Sequence, residues 1–302
     1  MQNFYSRGKL LLTGEYVVLD GALALALPTK FGQSLKVKPI DSQNIFWKSI
    51  DKAGTIWFQN EFNLGKELLQ QAHHDNKISN NLMQILGVAK QLNPEFLISD
   101  KGFEVTTKLE FPRSWGLGSS STLINNIADW ANVDAYKLLA MTFGGSGYDI
   151  ACAQNNSPIT YQLKGETRQI NQVDFNPEYR DHLFFIHLNK KQDSRKGISM
   201  YNSRKDKIKS EIKAINHITI NIINCSALSE FETLIAEHEK IISEIIKIKP
   251  VKETVFNDYK GAIKSLGAWG GDFILATGNL EDMNYFRQKG YPTIVSFENM
   301  IL

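Results

Sequence analysis

The chain has 302 residues, 42% of them hydrophobic and 22% charged, which is enough to bury one large core or two medium ones. Its 34 basic and 32 acidic residues leave a net charge of +2, which gives no reason to expect a basic nucleic-acid groove or membrane-binding face. The two cysteines, Cys152 and Cys225, stand in no metal-ligand spacing, and the N-terminal apolar run is broken by Gly, Glu and Asp. We therefore expect a soluble cytoplasmic protein with no nucleic-acid or membrane partner.

The first forty residues are predicted to be β-structure. In "KLLLTGEYVVLDG", Thr13-Gly14 is a turn signal and Asp20-Gly21 is typical of a β-hairpin. The run "ALALAL" predicts a short strand that stops before Pro28. The segment "QSLKVKPI" then alternates like a half-exposed strand, and "TIWFQ" is strand-like.

Two amphipathic helices are predicted next. Apolar residues recur three and four positions apart in "LGKELLQQAHHD" (64–75) and in "NNLMQILGVAKQL". The adjacent histidines His73 and His74 are assigned to the surface end of the first helix rather than to a metal site.

A strand and a helix are predicted on either side of a glycine- and serine-rich segment. "GFEVTTKLEF" alternates strictly and stops at Pro112. "STLINNIADWANV" follows as a helix, with Leu123, Ile127 and either Trp130 or Ala131 on one face.

The second half of the chain is predicted to mix buried strands with long helices. "HLFFIHL" is a buried strand, and "SRKDKIKSEIKAI" and "SEFETLIAEHEKIISEIIKI" are helices. A short helix and strand end the chain. The apolar stripe of the second long helix is Phe231, Leu234, Ile235, His238, Ile241, Ile242 and Ile245.

The organisation predicted is two α+β domains, because strands and helices alternate without the regular spacing of a doubly wound parallel sheet. The polar stretch "KGETRQINQVDFNPEYRD" is the best candidate for a boundary. The predicted domains are residues 1–170 and 171–302.

The segment "PRSWGLGSSSTL" carries the clearest chemistry. The first N–H groups of a helix have no intrahelical partner and carry partial positive charge, so a strand, a glycine-rich turn and a helix make an anion site. Gly116 and Gly118 allow close backbone approach, and Ser119, Ser120 and Ser121 add hydroxyls. A loop with serine helix caps has the same spacing, so this segment alone leaves both interpretations open.

Three further features are ambiguous when taken singly. Lys9 lies in "SRGKLLLTGEY" and either reaches a site at the strand end or is a solvated lysine. Asp149 in "GGSGYDIACA" either caps a helix or projects into a cleft. "SLGAWGGDF" is a second glycine-rich turn, placed between helix and strand, or a plain helix C-cap.

In this order the features resemble the GHMP kinase superfamily, which includes galactokinase and the homoserine, mevalonate and phosphomevalonate kinases. The first motif is "GKLLLTGEYVVLDG" (residues 8–21), the second "PRSWGLGSSST" (112–122) and the third "GAWGGDF" (267–273). The resemblance runs from residue 7 to about 276. It implies an N-terminal ATP-binding domain with a left-handed βαβ unit, like a ribosomal-protein fold, and a ferredoxin-like C-terminal domain.

The resemblance also implies cofactors and site residues. ATP and Mg²⁺ are the implied cofactors, with Lys9 and Asp149 as catalytic residues and Ser120 as a metal ligand. The implied ATP-binding residues are Trp115, Gly116, Leu117, Gly118, Ser119, Ser120 and Ser121. The implied substrate-binding residues are Glu15, Tyr16, Ser146, Gly147, Lys190, Ser194, Arg195, Gly270, Gly271 and Asp272.

Details of the motifs are most similar to phosphomevalonate kinases, namely "GEY", "GSGYDIACA" and "GGD". A phosphorylated acceptor needs cations, which Lys190, Lys191, Arg195 and Lys196 offer, unless they belong to an ordinary solvated loop. For an alcohol acceptor Asp149 would be a general base, whereas a phosphate acceptor is largely dianionic at neutral pH and needs none. In that case Asp149 would orient Lys9 and the metal.

Other functions stay open at this point. They are a mevalonate kinase or another alcohol kinase, a lyase similar to diphosphomevalonate decarboxylase, and a non-catalytic relative of the fold. The chain departs from the family in having no carboxylate in residues 135–146, where a metal-binding glutamate is usual, and in having Trp269 where glycine is usual. The expected partner is a small-molecule phosphate or alcohol acceptor, and the expected state is a monomer or homodimer.

Overall fold

Runs of strands and runs of helices follow one another along the part of the chain that the structure describes. The computed structural model covers residues 1–63, 76–98, 101–190, 194–203 and 208–302, with the backbone alone for 194–196. The strands are β1 (Gln2–Leu11), β2 (Ala24–Ile40), β3 (Asn44–Ile50), β4 (Ile56–Asn63), β5 (Gly102–Leu109), β6 (Ile159–Lys164), β7 (Thr167–Gln172), β8 (Leu183–His187), β9 (Ile263–Ser265), β10 (Phe273–Thr277) and β11 (Ile294–Ser296). The helices are α1 (Lys77–Leu92), α2 (Ser119–Ala131), α3 (Ala135–Thr142), α4 (Tyr148–Gln154), α5 (Ser194–Asn202), α6 (Lys209–Asn224), α7 (Leu228–Ile246), α8 (Val251–Val255), α9 (Asn284–Gln288) and α10 (Phe297–Met300). The predicted helix at 64–75, with His73 and His74, lies outside the described residues.

Contacts within the chain divide it into two compact units, each assembled from separate segments. Unit 1 comprises Met1–Gly8, Phe31–Arg113 and Gly118–Gln154. Unit 2 comprises Lys9–Lys30, Ser114–Leu117 and Asn155–Leu302. The predicted domain boundary at residue 170 stays a prediction.

Unit 1 packs helices on a mixed sheet. β3 pairs antiparallel with β4 and parallel with β5, and β5 pairs antiparallel with the Gln33–Ile40 part of β2. β4 and α1 connect the parallel neighbours β3 and β5, and the left-handed sense predicted for such a crossover stays a prediction. Apolar residues of the strands and of α1, α2 and α3 share one core, which includes Val37, Ile45, Leu86, Val105, Ile124 and Leu138.

Helix α2 is buried more widely than its predicted stripe. Ile127 and Ala131 are buried as expected, whereas Leu123 and Trp130 are only partly buried. The buried set includes Ile124 and Ala128, and the polar Asn126, whose side chain donates to the Gln33 carbonyl at 2.9 Å. A helix enclosed on most of its surface has no single apolar stripe, which is why the predicted face is off by one position at Leu123.

Strand β2 continues through Pro28, where the sequence predicted a break. Its residues Ala24–Ala26 pair with β6, and Gln33–Ile40 pair with β5. Pro28 lies outside both of these ladders, so its missing N–H breaks neither of them, and β2 pairs with β1 as well. Two predicted strands are therefore one strand of 17 residues.

The predicted hairpin at Asp20-Gly21 is wrong. Val17–Asp20 form a 3-10 helix, and Gly21 ends it with a φ of 86°. Glycine adopts this left-handed conformation without a steric cost, which suits a helix end as well as a hairpin. The Asp-Gly signal thus predicted correctly that the chain turns at Gly21, but the turn ends a 3-10 helix and does not join two strands.

Unit 2 contains an antiparallel sheet with the order β11-β8-β10-β9. In chain order these are the fourth, first, third and second strands, with helices between the first and second and between the third and fourth. This is the ferredoxin-like arrangement, so the predicted fold class is confirmed.

The stripe predicted for α7 is also buried in unit 2, except that Ile241 is only partly so, and Glu239 is buried as well. No helix among the residues described combines the length and the apolar character that crossing a bilayer requires.

Candidate active site

The second motif forms a glycine-serine loop (residues 116–121) between β5 and α2. A 3-10 turn at Arg113–Trp115 leads into it, Gly116 has a φ of 64°, and Gly118 has a φ of 85°. Gly118 is the N-cap of α2, and no side chain caps the helix there. The serines are therefore not helix caps, and the first N–H groups of α2 have the orientation that binds an anion.

Lys9 is joined to this loop by two hydrogen bonds. Its Nζ donates to the Gly116 carbonyl at 3.2 Å, and its backbone N–H donates to the Leu117 carbonyl at 3.0 Å. The residue is half-buried near the end of β1, so the interpretation as a solvated lysine is wrong. The structure thus brings together two groups that the sequence separates by 107 positions.

The third motif forms a loop (the third-motif loop, residues 267–272) between the antiparallel strands β9 and β10. The sequence placed a helix before it, and the three-residue strand β9 stands there instead. Two non-glycine residues in the loop are left-handed, Trp269 with a φ of 48° and Asp272 with a φ of 52°. Such strained residues persist only where the surroundings fix them, and they cluster at functional sites.

Asp272 lies directly against the glycine-serine loop. A Cβ on Gly116 would clash with the Asp272 carboxylate group, so any larger residue here would have to displace that side chain. The backbone of Asp272 is fixed on its other side, since its N–H donates to the Lys190 carbonyl at 2.6 Å and its carbonyl accepts from Leu188 N–H at 2.8 Å. Glycine suits position 116 for two reasons, namely the positive φ of its backbone and the carboxylate of Asp272 beside it.

We expect Gly116→Ala to destabilise the protein more than Gly144→Ala. Both glycines have a positive φ, 64° and 67°, but nothing lies within 4 Å of a Cβ on Gly144. A left-handed alanine costs about 1–2 kcal/mol at either position, and the clash with Asp272 adds about 1–3 kcal/mol at Gly116 alone. Urea denaturation of the two variants measures the difference, and equal losses would contradict the packing described here.

Trp115 belongs to an aromatic cluster. Its ring meets the Phe273 ring edge-on, with centroids 5.3 Å apart, and lies 6.4 Å from the His187 ring. A His187 ring nitrogen, Nε2, lies 3.1 Å from the Ser114 carbonyl oxygen. Trp115 is only 9% exposed, so this packing favours a core residue that supports the loop, and its role in ATP binding stays a prediction.

Glu15 is part of a buried ionic cluster, which we call the Lys264 cluster (Glu15, His238, Glu239 and Lys264). Lys264 Nζ lies 2.5 Å from Glu15 Oε1 and 3.1 Å from Glu239 Oε1. Ser265 Oγ donates to the other oxygen of Glu239 at 2.8 Å. Burial raises the pKa of Glu15 to about 7 despite the ammonium beside it. The neighbouring carboxylates raise the pKa of Lys264 although burial alone would lower it, so the lysine stays charged.

His238 is the neutral member of the Lys264 cluster. Burial and the nearby Lys264 charge hold the pKa of its imidazole well below the usual range. Its Nε2 accepts a hydrogen bond from Gly14 N–H at 3.0 Å, which requires that nitrogen to be unprotonated. The turn at Gly14 is thus fixed by a side chain of α7. The sequence assigned His238 to the apolar stripe and missed this contact, as it missed Lys264 and Glu239.

Replacing Glu15 by glutamine should flatten the pH dependence of stability. Because its pKa rises from 4.5 to about 7, the folded state binds the proton more tightly than the unfolded state. Its contribution is therefore fully present below pH 4.5 and is lost as the pH rises through about 7. Urea denaturation across this range should show a smaller fall for Glu15→Gln than for the parent protein. The exposed Glu253→Gln serves as the control and should behave as the parent does.

The structure places the predicted substrate-binding residues in several environments. Glu15 is 1% exposed and points into the Lys264 cluster. Tyr16 has a φ of 65°, and its ring stacks on Tyr201 with centroids 5.9 Å apart. A Cβ on Gly197 of α5 would lie 2.6 Å from the Tyr16 hydroxyl, so α5 packs closely on this tyrosine.

The remaining predicted residues are distributed along both units. Ser146 and Gly147 are buried and lead into α4, and Asp149 is half-buried in the first turn of that helix rather than at its N-cap. Lys190 is exposed, and Gly270 and Gly271 belong to the third-motif loop. Lys191 and the side chains of Ser194, Arg195 and Lys196 lie outside the described residues. Their predicted roles stay predictions.

Comparisons with known proteins address the fold. No family model and no curated protein matches the chain. A crystal structure of mevalonate kinase aligns with 98% of this chain and 98% of its own at a TM-score of 0.72 and 15% identity. Streptococcus pneumoniae phosphomevalonate kinase, in complex with phosphomevalonate and AMPPNP, aligns with 98% of this chain and 100% of its own at a TM-score of 0.71 and 15% identity. Lactococcus lactis galactokinase, complexed with galactose, aligns with 98% and 92% at a TM-score of 0.71 and 15% identity.

The protein has the fold of the GHMP kinases. The GHMP kinase fold predicted from the three motifs is thereby confirmed over nearly the whole chain. Three kinases with different substrates share this fold at similar scores, so the fold does not distinguish among the acceptors.

Proposed function

We propose that the protein is an ATP-dependent small-molecule kinase of the GHMP type and that its acceptor is phosphomevalonate. The observation that carries the proposal is Lys9, whose ammonium lies 3.2 Å from the Gly116 carbonyl at the glycine-serine loop. A lysine bonded to the glycine-rich segment that precedes a helix is the arrangement that phosphoryl transfer needs. The "GEY" and "GGD" motifs support the phosphomevalonate assignment.

In the proposed mechanism the chain mainly positions groups and neutralises charge. The first N–H groups of α2 bind the phosphates, and Gly116 and Gly118 leave room for them to approach the backbone. The Lys9 ammonium moves from the Gly116 carbonyl to the transferring phosphoryl group and stabilises its charge. The flanking aromatic cluster of Trp115, His187 and Phe273 holds the loop against displacement.

The donor set fits a magnesium ion held largely by the nucleotide. Ser120 is exposed in the first turn of α2 and offers a hydroxyl oxygen, a ligand that Mg²⁺ accepts. Within the described residues, no group of three or more His, Cys, Asp or Glu side chains is placed to hold a metal. Mg²⁺ commonly keeps several waters and uses one or two protein ligands with substrate phosphates, which is what this chain offers. When bound, it supplies charge neutralisation for the phosphates.

The acceptor decides what Asp149 does. A phosphate monoester has its second pKa near 6 and is largely dianionic at neutral pH, so it attacks without a general base. An alcohol needs a carboxylate to take its proton. For phosphomevalonate we therefore propose an electrostatic role for Asp149 rather than proton transfer.

The test is a panel of acceptors incubated with Mg-ATP, with ADP as the measured product. The panel contains mevalonate, phosphomevalonate, diphosphomevalonate, homoserine and sugars. ADP formation with phosphomevalonate alone is the expected result, and turnover with mevalonate alone would overturn the acceptor assignment. Release of CO₂ from diphosphomevalonate would indicate a lyase, and failure to bind ATP at millimolar concentration would indicate a non-catalytic relative.

A further inference from the structure

We infer that Lys264 is a positioning residue that holds the strand carrying Lys9 in register with the third-motif loop, and that Trp269 shields it from water. This inference rests on the proposed kinase function for its effect on rate. We call the connection that Lys264 makes between the turn after β1 and the third-motif loop the tie. Its existence is a structural claim that can be tested without measuring activity.

The first half of the tie is the turn after β1. Glu15 lies six residues beyond Lys9 and bonds to Lys264 Nζ at 2.5 Å. Gly14 N–H donates to His238, so the turn has two attachments to the same buried cluster. Thr13 adds a third attachment, because its hydroxyl pairs with that of Thr219 in α6 at 2.8 Å. The strand end that carries Lys9 is thereby held through its following turn.

The second half is the third-motif loop, which begins three residues after Lys264. Lys264 is the central residue of β9 and is fully buried, and its Nζ also donates to the Ser265 carbonyl at 2.6 Å. The far end of the loop is Asp272, which packs on Gly116, and Gly116 accepts the Lys9 hydrogen bond. Three contacts, Lys9–Gly116, Gly116–Asp272 and Lys264–Glu15, are therefore joined into a closed circuit by the chain from Lys264 to Asp272 and by the chain from Lys9 to Glu15. In this circuit Lys264 links the loop to the turn.

Trp269 covers this link. Lys264 Nζ lies 5.9 Å from the centroid of the indole ring, and Trp269 is 2% exposed although it is in a glycine-rich loop. An ion pair is stronger where water is excluded, and the indole excludes it here. Trp269 also has a φ of 48°, a conformation that glycine would adopt more easily. A bulky side chain kept in this conformation indicates that its ring, rather than its backbone, is what the position requires.

The test uses the double variant Lys264→Met/Glu15→Gln. The single variant Lys264→Met leaves two buried carboxylates without their cation, which destabilises a fold strongly, whereas the double variant removes one of those charges as well. We expect the double variant to fold and to show kcat lowered by about tenfold or more, with KM for ATP changed less than about threefold. The matched control is Lys260→Met, which removes an exposed lysine four residues away and should leave kcat unchanged.

Hydrogen–deuterium exchange gives the readout that does not depend on activity. In the double variant, exchange should accelerate in residues 12–22 and in residues 266–273 together, while α1 keeps its parental rate. Trp269→Gly should accelerate the same two segments, and Trp269→Phe should do so less. If the double variant does not fold, the exchange rates of the two variants Trp269→Gly and Trp269→Phe test the inference instead.

Parental kcat in the double variant, or faster exchange in only one of the two segments, would overturn the inference. If the parent protein turns over no acceptor, the proposed function fails and the exchange experiment alone decides whether the tie exists. The two failures are therefore distinguishable.

Discussion

Lys9→Met is expected to lower kcat by about 10²–10³-fold, the usual loss when one group that stabilises transition-state charge is removed. Methionine keeps the length and the apolar stem of lysine but has no ammonium to donate to Gly116 or to a phosphoryl group. The backbone hydrogen bond from residue 9 to Leu117 is unaffected, so the strand keeps its place. Steady-state kinetics with ADP detection measures the loss, and circular dichroism establishes that the variant is folded.

Lys36→Met is the matched control for this prediction. Lys36 lies exposed on β2, so its replacement removes the same charge without touching the glycine-serine loop. Its kcat should equal that of the parent. A Lys9 variant that kept more than about a third of parental kcat would show that the ammonium acts on something other than the transferring group.

Asp149→Asn should separate the two acceptor classes. Asparagine keeps the size of aspartate but has no negative charge and cannot accept a proton. With an alcohol acceptor, kcat should fall by about 10²–10⁴-fold, the typical contribution of a general base. With phosphomevalonate the fall should be smaller, because no base is required. The measurement is kcat for each acceptor that the panel identifies.

Asp134→Asn provides the control for the carboxylate. Asp134 caps α3 by accepting hydrogen bonds from the N–H groups of Tyr136 and Lys137, and asparagine caps a helix equally well. The control should therefore keep both its stability and its activity. Equal, near-parental rates for Asp149→Asn on both acceptors would mean that Asp149 has been assigned wrongly.

The sequence predicted the parts of the site that depend on local order. A strand, two glycines and a helix in succession are typical of an anion-binding loop, and Gly116 and Gly118 have the positive φ angles that such a loop uses. The start of α2 has no side-chain cap, which argues against the alternative of serine helix caps. The helices α1 and α7 were predictable for a similar reason, since the spacing of apolar residues that indicates a helix depends only on the sequence of that segment.

The Lys264 cluster was not predictable, because its contacts join residues 249 positions apart. A lysine in the middle of a three-residue strand has no periodic pattern that would reveal its burial. Its placement between Glu15 and Glu239 follows only from the pairing of β9 with β10 and the packing of α7. The one local signal was Glu239, a glutamate directly after His238 of the apolar stripe of α7, and the stripe alone gave no reason to expect its burial.

Errors in the predicted secondary structure arose where tertiary pairing outweighed a local signal. Pro28 normally ends a strand, yet β2 passes through it because the proline lies outside the ladders with β5 and β6. Asp20-Gly21 normally closes a hairpin, yet it ends a 3-10 helix whose Asp20 carboxylate accepts a hydrogen bond from Tyr201 at 2.6 Å. In both cases the deciding partner is distant in sequence.

The interrupted course of the chain restricts how such a protein can be cut or recombined. The chain passes between the two units at residues 8–9, 30–31, 113–114, 117–118 and 154–155. A fragment that begins at Asn155 would keep Lys264 and Glu239 but lose Glu15, leaving the buried charges incompletely paired. It would also lose the Ala24–Ala26 segment that pairs with β6. Exchange of one half with a homologue at a single crossover point should therefore give a destabilised product, because it would separate residues that pair across the crossover point.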